Sequence, residues 1–121
     1  MEISYWVVAA LLALMYLYSG GKKVAQDKER LRPMMGWVDT VPMPYVRGIG
    51  TLELLGAAGL VLPPLTGIAP WLALAAAIGF VLLQIGGITL HLSRGEARLI
   101  GLNVVLLAAA VVAAWLATVW L

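Results

Sequence analysis

An acidic residue in the middle of an apolar run is the strongest chemical signal in this sequence. Glu53 lies about eight residues, or roughly 12 Å, inside the stretch from Tyr45 to Leu62. A carboxylate at that depth in hydrocarbon costs on the order of a few kcal/mol unless it is paired, protonated or bathed in a water-filled cavity. Such a group suits acid–base chemistry on a lipophilic substrate, or a grip on the polar head of a lipophilic ligand. Other polar residues lie at comparable depth in neighbouring apolar runs. Tyr16, Ser19 and Lys23 share one helical face by their i, i+3, i+7 spacing. Gln84 and His91 share another, Asn103 lies about one turn inside the last run, and Arg47 opens the run that holds Glu53.

Glu53 and His91 are the candidate catalytic groups, and Tyr16, Ser19, Lys23, Arg47, Gln84 and Asn103 the candidate ligand-binding groups. Each also has a plainer role available. Lys23 and Arg47 can snorkel to phosphates, His91 can cap a helix, Gln84 and Asn103 can hydrogen-bond between helices, and Tyr16 can join an aromatic belt with Tyr18. A metal centre is not expected, because one histidine and one buried carboxylate fall short of a ligand set. Haem would have only His91 as an axial imidazole.

Four apolar segments must position these residues. They run over about 3–21, 45–62, 70–92 and 98–121, each close to the roughly 20 residues that span a bilayer. The hydrophobic fraction is 63%, the charged fraction 12% and the mean hydropathy +0.98, more apolar surface than a soluble domain of 121 residues could bury. The expected architecture is a single all-α domain over residues 1–121, an integral membrane four-helix up-down bundle. The first segment lacks the basic flank of a cleavable signal and reads as a retained helix. Pro63 to Ala69 should form a tight turn, with Pro70 opening the next helix. The loop over 22–44 is charged in its first half and rich in Met and Trp in its second, so it should lie in the headgroup layer with its apolar side toward lipid.

Charge placement sets an orientation. All eight Lys and Arg fall beside the two loops that share one end of an up-down bundle. Lysine and arginine stay cytoplasmic, so both termini should lie outside the cytoplasm, with Trp6, Trp71 and Trp120 near the outer interface. The polar candidates then lie in the inner half, as a pocket open to the cytoplasm. No aromatic–basic stripe suggests nucleic acid, and there is no cysteine for a disulfide or thiolate site. Small-residue faces at Gly56/Gly59 and Ala108 to Ala114 would allow homo-oligomers.

Short motifs carry a resemblance. The stretch Gly48 to Leu72 (GIGTLELLGAAGLVLPPLTGIAPWL) resembles the DoxX-like family of small bacterial membrane proteins, as do Gly20-Gly21-Lys22-Lys23 and the HLSRGE run from His91 to Glu96. The Gly50-Thr51-Leu52-Glu53 element is its most specific part. The resemblance implies a four-helix bundle in the bacterial inner membrane, with Lys23 as the helix-exit lysine and Glu53 as the intramembrane glutamate. It also implies a link to membrane redox complexes, since the family takes its name from a subunit of a thiosulfate:quinone oxidoreductase.

Two functions follow as expectations. One is an accessory or anchoring subunit that binds a quinone-like or other lipophilic molecule around Glu53 and docks a soluble redox partner on its cytoplasmic side. It would carry no intrinsic cofactor, with quinone as the bound one. The other is a membrane-embedded enzyme that uses Glu53 as acid or base for isomerisation, cyclisation or epoxide opening. Solute transport fits less well, because the outer half offers no polar path.

Overall fold

The computed structural model describes residues 2–121. Among them the regular structure is all helical, and four helices are long and apolar enough to cross a membrane. These are α1 (Glu2–Ala25), α3 (Met43–Thr66), α4 (Leu72–Ser93) and α5 (Gly101–Leu116), the last continued by a tighter turn over Ala117–Trp120. A short α2 (Lys28–Leu31) lies in the long loop. The long helices pack in a ring in which α1 touches α3 and α5, and α4 touches the same two.

Each helix buries a narrow stripe. On α1 it runs through Tyr5, Ala9, Leu12, Ala13, Tyr16, Gly20 and Lys23, on α3 through Val46, Gly50, Glu53, Ala57 and Leu60, and on α4 through Ala73, Ala77, Phe80 and Gln84. The alternating steps of three and four residues keep one face inward for the length of the helix. Toward the basic loops the α1 and α4 stripes end at Lys23 and Gln84 and the α3 stripe carries Glu53, while away from those loops the buried residues are apolar or aromatic. Outside the stripes Leu, Val and Ile face outward, as expected for surface solvated by lipid.

The turn expected at Pro63 is displaced, because α3 runs through Pro63 and Pro64 to Thr66. Neither proline can donate the backbone N–H that Gly59 and Leu60 carbonyls would receive four residues earlier. The Leu60 carbonyl is instead taken by the Tyr5 hydroxyl of α1, at 2.5 Å. Beyond the prolines, Gly67 in the left-handed region (φ 74°) donates its N–H to the Pro63 carbonyl at 2.9 Å and ends the helix.

The long loop folds into a small cap, with Leu31, Met35 and Val38 buried against Val46 of α3 while Met34 stays exposed. Asp27 starts this cap by accepting the Arg30 N–H at 2.9 Å, the geometry of a helix N-cap. The small-residue faces are partly used within the chain: Gly56 lies under the Phe80 ring, Gly59 meets Ala76, and Ala110 and Ala113 are buried in the bundle, while Ala108 faces outward.

Candidate functional site

α1 and α3 cross at paired glycines. A Cβ on Gly20 would lie 2.7 Å from the Gly50 carbonyl oxygen, and one on Gly50 would lie 2.6 Å from the Lys23 Cβ. Only glycine at both positions lets the backbones meet this closely. Three residues beyond each glycine, on the same face, stand Lys23 and Glu53. Their side chains form a buried ion pair, with Lys23 8% and Glu53 3% exposed. The Lys23 ammonium also donates to Ser19 Oγ at 2.8 Å and lies 5.6 Å from the centre of the Trp37 ring in the cap. Glu53 Oε1 is engaged by Lys23, whereas Oε2 is buried and meets no donor among the described residues.

A second polar cluster crosses from α1 to α5. Gln84 Nε2 donates to the Tyr16 hydroxyl at 2.6 Å, and Asn103 Nδ2 donates to Gln84 Oε1 at 2.9 Å. Tyr16 is held by its ring, stacked on Phe80 with centroids 3.8 Å apart and planes within 6°. Gln84 therefore bridges two helices with both ends of its amide, which satisfies a group that would otherwise be costly to bury.

Both clusters line one cavity of about 850 Å³. That volume lies within the roughly 300–1,000 Å³ common to small-molecule sites. Its polar wall holds Tyr16, Ser19, Lys23, Glu53, Gln84 and Asn103, and its apolar wall includes Met15, Leu83, Leu102 and Leu106. Arg32 to Trp37 of the cap close the end near the basic loops. A separate groove of about 420 Å³ between α3 and α4 has only apolar side chains.

His91 also lines the cavity, at its basic end, where Nδ1 lies 3.0 Å from Glu96 Oε1. Gly95 in the left-handed region (φ 72°) makes this pairing, because it turns the chain back so that the Glu96 N–H reaches the His91 carbonyl at 2.8 Å. Arg94 donates to Glu96 Oε1 at 2.8 Å and reaches across to Thr40 Oγ1 at 2.7 Å, fastening α4 to the cap. The Arg94 hydrogen bond first, and then that from His91, holds the Glu96 carboxyl below its ordinary value.

Seven of the eight candidate residues thus meet at one cavity, and Arg47 stands apart. Its guanidinium donates to the Lys23, Val24 and Gln26 carbonyls, at 3.0 Å for Lys23 and Gln26, and so caps the C-terminal end of α1. Unsatisfied carbonyls and the negative end of the helix dipole favour a cation there. Phe80, Trp37 and Glu96 are site residues that sequence reasoning did not single out. The Gly-Glu pair after a helix end was the available signal for Glu96; nothing local marked Phe80 or Trp37.

The sequence profile of the DoxX-like family matches residues 7–113, from within α1 to within α5. No curated protein and no solved structure matches the chain.

Proposed function

The chain belongs to the DoxX-like family, and from there we propose that it holds a quinone-like or other lipophilic molecule by its polar head in the cavity around Glu53, as an accessory or anchoring subunit of a bacterial inner-membrane redox system. One observation carries this reading: four helices each contribute a polar side chain to a cavity whose other wall is apolar. Such a division matches a ligand with a polar ring and a hydrocarbon tail. α1 and α5 meet at their far ends, where Tyr5 and Trp6 pack on Trp120. At their other ends Met15, Tyr18, Leu102 and Leu106 flank the cavity, which gives a tail a way out between those helices.

The residues fit a quinone head without any redox centre of their own. Bound quinone would supply two-electron, two-proton chemistry to a partner; the chain would place and shield the ring. The neutral hydrogens of Gln84 and Asn103 suit its carbonyl oxygens. A soluble partner would meet the charge left exposed on the cap, including Glu29, Arg30 and Arg32, beside the exposed Met34.

Full-length protein in lipid nanodiscs should bind decylubiquinone, and Gln84→Leu should weaken binding about tenfold, roughly 1.4 kcal/mol. Absence of binding, or equal affinity in the variant, would overturn the reading. The unpartnered Glu53 oxygen also favours a second reading, an acid–base enzyme acting on a lipophilic substrate. In that case Glu53→Gln would abolish turnover of such a substrate while leaving its binding intact.

A further inference from the structure

We propose that the cavity selects lipophiles whose polar head donates a hydrogen bond, a long-chain phenol, alcohol or quinol, over the same molecule without the donor, and that Glu53 sets this preference. The inference rests on the cavity being a lipophile site, as proposed above, and adds which chemical form it prefers.

The hydrogen-bonding capacity left over in the cavity carries the argument. Lys23 has three ammonium hydrogens. One goes to Ser19 Oγ, one to Glu53 Oε1, and the remaining side of the ammonium faces the Trp37 ring. A ligand carbonyl therefore finds no free cation at Lys23. Gln84 and Asn103 spend one hydrogen each on the bridge to Tyr16. Around Glu53, their second amide hydrogens and the Ser19 and Tyr16 hydroxyls remain as neutral donors; Arg32 and His91 stand at the basic end of the cavity, paired with Asp39 and Glu96. Glu53 is different: it is 3% exposed, it belongs to the cavity wall, and its Oε2 meets no donor among the described residues. It is the buried carboxylate of the cavity wall, with one oxygen that accepts nothing among the described residues.

A hydrogen bond to an ionised acceptor is roughly twice as strong as one between neutral groups. A buried charged oxygen without a donor is also a standing cost, which a ligand hydroxyl removes on arrival. A carbonyl-only head meets neutral donors and leaves that cost in place. Both forms can therefore bind, and the hydroxyl form should bind more tightly. For a quinone/quinol pair, tighter binding of the quinol displaces the bound couple toward reduction by the same free energy.

The test uses a probe pair with no redox chemistry, 4-dodecylphenol and its methyl ether, titrated against full-length protein in nanodiscs and corrected for partition into protein-free nanodiscs. The phenol should bind about tenfold more tightly to the native chain, roughly 1.4 kcal/mol. In Glu53→Gln, whose amide both donates and accepts, the ratio should fall to about twofold or less. In the paired variant Lys23→Met/Glu53→Leu, which leaves no buried charge, it should also vanish. Equal affinities in the native chain would overturn the inference without need of any variant. So would a preference that survives both substitutions. If decylubiquinone binds but the phenol gains nothing, the donor preference alone fails. If neither decylubiquinone nor the probe pair binds, the lipophile site fails and the preference with it.

Discussion

Lys23 and Glu53 bring opposite charges together where water is scarce, and the value of that arrangement depends on what it is compared with. Desolvating both ions costs several kcal/mol, and their attraction roughly repays it; removing one partner strands the other. Lys23→Met or Glu53→Leu alone should therefore destabilise the protein by about 3–5 kcal/mol, whereas the two together should lie within about 1 kcal/mol of the native chain. Unfolding in detergent micelles measures this cycle, and single-variant losses that simply add would show that the pair is not coupled. Glu53 and Gln84 were legible because a polar residue in an apolar run must find a partner. The direction of Arg47 was not. Its position at a helix start fits snorkelling, lining a pocket or capping a neighbour equally well, and only the nearness of the α1 carbonyls selects the last.

The helices themselves follow from the length and apolarity of their segments, whereas the cap, begun at Asp27 and closed over Leu31, Met35 and Val38, reads in the sequence only as an interfacial loop. What the pattern hid was a repair made between helices. Proline at position 64 reads as the end of a helix, yet the carbonyl it releases at Leu60 is reclaimed by Tyr5 from another helix. The tyrosine, three residues into α1, looks like an ordinary belt aromatic, and its role becomes visible only once α1 and α3 are side by side. Tyr5→Phe should then cost about 1 kcal/mol in the native chain. In a Pro64→Ala background, where residue 64 can supply the missing N–H, it should cost little. Thermal unfolding of the four proteins in micelles checks this, and the same loss in both backgrounds would refute the clamp. The motif G-x-x-K on α1 facing G-x-x-E on α3 shows the same logic: the glycines set the distance at which the charges can meet.

The assembled bundle is strongly polarised along its axis. The eight Lys and Arg lie at one end, and Trp6 and Trp120 at the other. The positive-inside rule would put the basic end in the cytoplasm; a cysteine introduced at Lys28 should then react with a membrane-impermeant maleimide only from the cytoplasmic side. A cysteine at Thr66 should react only from outside. The chain has no cysteine of its own to confuse the labelling, and the opposite pattern would invert the topology.

The far half of the bundle is packed with Ala9, Ala73, Ala77, Ala110 and Ala113, all fully buried, while the cavity occupies the near half. Were water to fill that cavity, the bundle would act as an insulator and a conductor in series, and in an energised membrane most of the voltage would drop across the alanine-filled half. The work of moving a charge scales with the fraction of that drop it crosses. Lys23, Glu53 and whatever lies beside them would then be held near the potential of the basic side, electrically part of that compartment although buried in the bilayer.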